Sequence, residues 1–262
     1  MIHALWTAAT GMEAMKTKID VIANNLANSN TDGFKRSVVE FNDLLYQYLR
    51  NPGFISGQQE SPSGVGIGLG TQVSGTTIQH KQGSIQTTEN NLDWAVDGIG
   101  MFQVRDPISG INMYTRKGSF KLSPEGAIVT SEGLPLEPAL TVPTDALAFQ
   151  ITADGFLLVQ QPGQTGMQPV GQVQLARFPN SSGLQAKGAG LYAETSASGP
   201  PLIGPPKQQG LGQIVPRALE ASNVQIVTEM VDLITTQKSF DTNSKVISVS
   251  DKMMDTANNL AR

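Results

Sequence analysis

Residues 2–28, IHALWTAATGMEAMKTKIDVIANNLAN, decide the fold. Ile2, Leu5, Ala9, Met12, Ile19, Ala23 and Leu26 recur at alternating spacings of three and four, and only Lys16 interrupts the seam. This is the rhythm of a helix packed along another helix. At 1.5 Å per residue it predicts a helix of roughly 40 Å. Asn24, Asn25, Asn28 and Asn30, followed by Asp32-Gly33, supply the stop.

The far end mirrors this. Residues 223–260 predict a second long helix, with Ser222 and Gln225 spaced as a capping box and Glu220 adding negative charge near the positive helix end. Ile226, Met230, Leu233, Phe240, Ile247 and Met254 form a three-four seam whose alternate places are Gln237, Ser244 and Asp251. A second stripe follows through Val246, Val249, Met253, Ala257 and Leu260. Two apolar stripes on one helix predict more than one neighbour. Terminal helices around an inserted body predict a protein whose ends join something, most simply copies of itself.

Between the helices the signals are of β type. Phe34 to Leu49 reads either as a short helix or as extended chain, and 51–75 as loop-like. Gly64, Gly66, Gly68 and Gly70 alternate with Val65, Ile67 and Leu69, which predicts a strand with one bare face and a close neighbour on it. From 76 to 195, turn signals at Asp97-Gly98, Pro107–Gly110, Pro124–Gly126 and Asp154-Gly155 punctuate short β-type runs. Ala148 to Val159 predicts a hairpin, Gln172 to Phe178 a half-alternating strand, and Ser196 to Gly212 a linker. The expected class is α+β: long terminal helices forming a coiled-coil-like assembly domain (1–34 and 218–262), an extended linking region (35–88 and 196–217), and an antiparallel β domain (89–195).

Composition narrows function. The chain has 262 residues, 15% of them charged, and a net charge of -4, so no basic surface awaits nucleic acid. There is no cysteine, which closes disulfide, thiolate-metal and thiol-nucleophile chemistry. The apolar run Met1 to Met12 has no preceding Lys or Arg, and its heptad continues past any cleavage point, so it reads as mature structure. No run approaches the length that spans a bilayer. His3 and His80 are far apart, no G-x-S-x-G occurs, and the glycine run has neither the spacing nor the βαβ setting of a nucleotide loop. Pairs such as Asp93 with Asp97, or Asp106 with Glu125, read as turn carboxylates before they read as a glycosidase couple. No catalytic residue, metal ligand or cofactor is expected.

Three ordered blocks carry a resemblance. Ala23–Asn28 with Thr31 and Gly33-Phe34-Lys35, then Asn91, Asp93 and Ala95–Val104 with Tyr114-Thr115-Arg116 and Gly118-Ser119-Phe120, then Glu220–Val224 with Glu229-Met230, Gln237 and Asn243–Lys245, closely resemble the signatures of the flagellar rod and hook axial family. Met101, Lys238 and Phe240 depart from its usual Phe, Arg and Tyr. Residues Gln47 to Val73 resemble a segment that distal-rod members carry and hook members lack. The resemblance implies a structural subunit exported through the flagellar type III apparatus without a cleaved signal, assembling in the periplasm into a stiff hollow shaft. It implies as partners further copies of itself, other rod proteins and the hook protein at the ends, and the surrounding peptidoglycan and outer-membrane ring proteins. A proximal rod or hook subunit of the same family is the alternative member.

The expected self-assembly residues are Ile2, Leu5, Met12, Ile19, Leu26, Asn24, Asn25, Asn28, Ile226, Met230, Leu233, Phe240, Ile247 and Met254. Pro52, Gly53, Pro62, Gly64, Gly66, Gly68 and Gly70 mark a segment expected to lock neighbouring subunits. The asparagine run suits helices beside identical copies, since an amide both donates and accepts; a frayed helix end is its plainer explanation. A different class, a glycan-binding β module, would need Trp94, Phe102 or Tyr114 at its surface.

Overall fold

A computed structural model describes residues 2–50, 55–56, 59–60, 63–163 and 166–260. The chain forms two compact units. One comprises Met1–Ala27, Ser37–Ile78 and Gln225–Arg262, the other Asn28–Arg36 and Gln79–Val224.

The first unit holds both long helices, α1 (Ile2–Ala27) and α2 (Ile226–Leu260). They pack antiparallel. Asn25 Nδ2 donates to Glu229 Oε2 at 3.2 Å, and two heptads away a Cβ added to Gly11 would stand only 2.8 Å from Asn243 Nδ2. The buried face of α1 is small: Ala8, Gly11, Ala14, Ile22 and Asn25. The facing stripe of α2 is Glu229, Leu233, Thr236, Phe240, Asn243, Ile247, Ser250 and Met254, of which Glu229, Thr236 and Ser250 are fully buried.

Half of the expected seam is therefore present. Leu233, Ile247 and Met254 lie on it half-buried and Phe240 at its exposed margin, but their alternates are Glu229, Thr236, Asn243 and Ser250, in place of Met230, Gln237, Ser244 and Asp251. Close approach decides this. Gly11 on α1 lets Asn243 come close, and the buried polar heads find partners at short range; Thr236 Oγ1, for example, donates to Asp232 O at 2.6 Å.

The start of α2 also differs from expectation. The helix begins at Ile226, with Glu229 N donating to Gln225 O at 3.0 Å. Ser222 Oγ accepts from Val224 N at 3.3 Å, which makes a local turn and no capping box. Glu220, expected to complement the helix end, is buried inside the second unit.

Ser37 to Ile78 is a β-ribbon. Ser37–Asp43 pairs antiparallel with Thr71–Ile78, Tyr46–Arg50 with Val65–Gly68, and Ile55–Ser56 with Gln59–Glu60. The ambiguous Phe34–Leu49 stretch is thus extended, and much of the expected loop is strand. The glycine alternation has a direct cause. Tyr46 pairs with Gly68 and Tyr48 with Gly66, and Cβ atoms built on Gly68 and Gly66 would lie 3.4 and 3.1 Å from those rings. The tyrosines cover the bare face. Where the ribbon meets α1, Gly70 has φ +119° and a Cβ there would collide with Thr10 Oγ1.

Asn25 ties the ribbon to the helices through polar contacts. Asn25 Oδ1 accepts from Ser37 N at 2.9 Å and its Nδ2 donates to Ser37 O at 2.9 Å. Asn25→Ala removes both bonds to the Ser37 backbone and one donor from the Glu229 carboxylate. We expect a loss of about 1–3 kcal/mol in the first unit, read as early hydrogen exchange in α1 and Ser37–Asp43 while the β unit stays protected.

The second unit is antiparallel β structure. Met101–Arg105 sits centrally: Asn112–Thr115 pairs along one edge, and Leu175–Arg177 and Leu136–Glu137 share the other. Leu191–Ala193 and Gln185–Gly188 extend one side, and Leu202–Gly204 the other. The stretch expected as a linker thus contributes a sheet strand. Ala148–Ile151, Phe156–Gln160 and Gln168–Gln172 form a meander around the expected hairpin. The core is aromatic at its centre, with the Phe120 ring 5.0 Å from Trp94 and 5.2 Å from Phe102. Two short pairs, Gln213–Pro216 with Trp94–Asp97 and Ala218–Glu220 with Ile85–Thr87, tie the C-terminal part of this unit into it.

Candidate assembly surfaces

Within the second unit, residues far apart in sequence converge on one buried carboxylate. Lys35 Nζ lies 2.5 Å from Glu220 Oε1, and Arg116 Nε lies 3.1 Å from Oε2, all three side chains excluded from solvent. Gly83 N donates to the same Oε1 at 2.8 Å. Lys35 also donates to Lys81 O at 2.9 Å, and Arg116 to Gly100 O and Gly98 O at 2.7 and 2.9 Å. Beside this cluster the Asn223 side chain accepts from Arg36 N at 2.7 Å and donates to Gln79 O and Lys81 O. Burial pulls Lys35 and Arg116 below their usual basicity, and the Glu220 charge opposes that pull. Sequence reading quoted Lys35, Arg116 and Asn223 without giving them this role. The signal available was the three charges of Lys35, Arg116 and Glu220 sitting inside otherwise apolar or glycine-rich blocks.

His80 stands at the edge of the cluster, its ring 5.3 Å from that of Tyr192. Burial first, then the charges of Lys35 and Arg116, push it down to about 4. Between pH 6.5 and about 4 the unfolded chain therefore binds the extra proton, so stability falls as pH falls through that window. The loss has a ceiling of about 3 kcal/mol. Urea denaturation at pH 7, 5.5 and 4.5 should show it, and His80→Phe should flatten the part of the slope above pH 5.

The helices leave apolar surface uncovered. On α2, Val227 is 76% exposed and Met230 50%, and Ile226, Val231, Ile234, Val246, Val249, Met253 and Leu260 are exposed with them. On α1, Trp6 is exposed, and Leu5, Met12, Ile19 and Leu26 are half-buried beside the inner stripe. Ile2 opens the helix backbone. Asn24 is exposed, Asn28 is half-buried with its Oδ1 accepting from Thr31 Oγ1 at 3.1 Å, and Asn25 is 1% exposed with its amide engaged within the subunit. On the ribbon, Leu45, Tyr46, Tyr48, Leu49, Val65 and Ile67 are exposed; Gly64 is half-buried, and Pro52, Gly53 and Pro62 lie outside the described residues. Apolar area of this extent, on side chains that could have been polar, marks an interaction surface.

Other chemistries fare worse. Trp94, Phe102 and Tyr114 are fully buried, which removes the platform that a glycan would stack on. Asp93 accepts from Asn90 Nδ2, Asp97 from Gln82 and Gln213, and Asp106 from Ser109, so these three carboxylates are occupied by a turn or a neighbour. Among the described residues no acidic, His or Cys cluster could hold a metal ion, and no helix is long and apolar enough to cross a membrane.

The model of the flagella basal body rod protein matches residues 5–35, that of the flagellar hook protein FlgE/F/G D1 domain matches 95–159, and that of the flagellar basal body rod FlgEFG protein C-terminal region matches 215–260. The flagellar basal-body rod protein FlgG of Buchnera aphidicola subsp. Baizongia pistaciae is 42% identical over 255 residues, covering 97% of this chain and 98% of that protein. That of Caulobacter vibrioides is 41% identical over 261 residues, covering 99% of each. The one from Borreliella burgdorferi is 39% identical over 265 residues, the full length of both. The chain belongs to the flagellar basal-body rod protein family. It is a structural rod subunit of the basal body, not an enzyme. The three matched blocks of the rod subunit contain Lys35, Glu220 and the exposed face of α2, and Arg116 falls inside the D1 block.

Proposed function

We propose that this rod subunit builds the distal part of the shaft, exported without a cleaved signal and polymerised in the periplasm within the peptidoglycan and outer-membrane rings. Its α1 and α2 line the inner tube in coiled-coil-like contacts with neighbouring copies, the β unit forms an outer layer, and the ribbon 47–73 locks subunits against bending. Together they transmit torque to the hook. The single observation that carries this reading is the uncovered apolar face of α2, Val227, Met230, Val231 and Ile234, on a helix whose inner stripe is already satisfied within the chain. A helix facing only water would not hold four large apolar residues outward over two turns. Repetition of such a heterologous contact by a screw operation makes a filament.

The ribbon's share is tested by removing residues 47–73. The β unit contains none of these residues, so it should fold unchanged, while rods built from the variant should bend more easily in electron micrographs. Equal bending stiffness would sink the locking role.

A further inference from the structure

Two features of the β unit sit at opposite ends of the same pair of strands. Met101–Arg105 and Asn112–Thr115 are joined by the loop 106–111 at one end. At the other end, next to Met101 and Arg116, opens a cleft of about 520 Å³. Five strand residues separate them, a distance of roughly 17 Å.

The loop is a rigid apolar knob. Asp106 Oδ1 accepts from Ile108 N at 2.9 Å and Oδ2 from Ser109 Oγ at 2.6 Å. Gly110 N donates to Asp106 O at 2.8 Å, and Asp106 N to Ile111 O at 3.0 Å. These four bonds hold Ile108 at 95% exposure, with the exposed Ile111 beside it. A loop organised so fully, with its largest apolar side chain turned entirely to water, is pre-ordered for contact.

The cleft is the complement. Ile99, Met101, Phe178 and Pro179 give it apolar walls, and Arg177 and Ser181 add polar groups to the lining. The loop brings one carboxylate, Asp106, and the cleft lining a half-buried guanidinium, Arg177. We propose that in the assembled rod the loop 106–111 of one copy seats Ile108 in this cleft of the next, with Asp106 facing Arg177. Knob and cleft lie at opposite ends of one strand pair, so the contact is head-to-tail and repeats along the polymer without closing. The inference rests on the rod-assembly reading and adds an axial contact between β units that the helices do not provide.

The chain's lack of cysteine makes the test clean. Ile108→Cys and Ser181→Cys are introduced together, rods are assembled in cells, and isolated basal bodies are oxidised mildly and run without reductant. A ladder of dimers, trimers and larger species is expected, with dimers alone when the two single variants are mixed and no bands from either variant by itself. Intact rods that yield only monomers, or from which either single variant by itself gives dimers as readily as the pair, would overturn the contact while leaving the rod reading standing. Absence of the unmodified chain from isolated basal bodies would instead strike the rod reading. As a second measure, Ile108→Asp should abolish swimming where Ile108→Val retains it, with circular dichroism unchanged in both. Normal swimming by the Ile108→Asp strain would overturn the proposal even if the cysteine pair failed to assemble.

Discussion

Glu220→Gln is expected to destabilise the β unit by about 3–5 kcal/mol, because it strips the carboxylate shared by a pair of buried cations. The Lys35 side chain is shut off from water and that of Arg116 nearly so. With the opposing charge gone, burial would pull both further below their usual basicity. The damage should reach beyond the ion pairs, since Glu220 Oε1 also holds Gly83 N and its carbonyl accepts from Gly33 N at 2.7 Å. Urea denaturation followed by tryptophan fluorescence reads the change, as Trp94 lies in the core of this unit. A double variant, Glu220→Gln with Lys35→Met, should recover part of the loss by removing one orphaned charge. A single variant as stable as the parent chain would mean that the cluster contributes nothing net to the fold.

Met230→Asp is expected to act in the opposite manner, leaving the subunit folded and stopping the rod. Met230 is half exposed on α2, and a surface substitution of this kind changes stability by no more than about 0.5 kcal/mol. In the assembled rod the same position is proposed to be covered, and an unpaired carboxylate buried there is costly. The strain should be non-motile, with monomer of unchanged circular dichroism and no rod beyond the proximal part in isolated basal bodies. Leu233→Asp is the informative contrast. Leu233 belongs to the inner stripe, so its substitution should damage helix pairing and assembly together. Swimming by the Met230→Asp strain would remove the exposed face of α2 from the interface.

Much of the fold was legible in the chain. The three-four rhythm located both helices to within a few residues, because periodic burial leaves a trace that no tertiary contact needs to supply. The alternating glycines predicted a strand with something pressed against it, although not that Tyr46 and Tyr48 supply the rings. The hairpin around Asp154-Gly155 followed from turn chemistry alone. The start of α2 departs from the local pattern for a tertiary reason: Ser222 turns to Val224 N instead of forming a capping box with Gln225, and Glu220, expected near the helix end, is claimed by Lys35 and Arg116.

Family, helix positions and the β character of the middle were set by local pattern, since each depends on residues within a turn or a strand of one another. Which stripe of α2 turns inward was not. A heptad offers several parallel stripes, and the most apolar one was the natural expectation. The structure buries Glu229, Thr236 and Ser250 beside the half-buried Leu233, Asn243 and Ile247, because Ala8, Gly11 and Ala14 bring the helices close and the polar side chains find partners there. The triad of Lys35, Arg116 and Glu220 was equally out of reach. Its members are scattered over nearly two hundred residues, and only the closed sheet, by excluding water from all three, turns separate charges into one interaction.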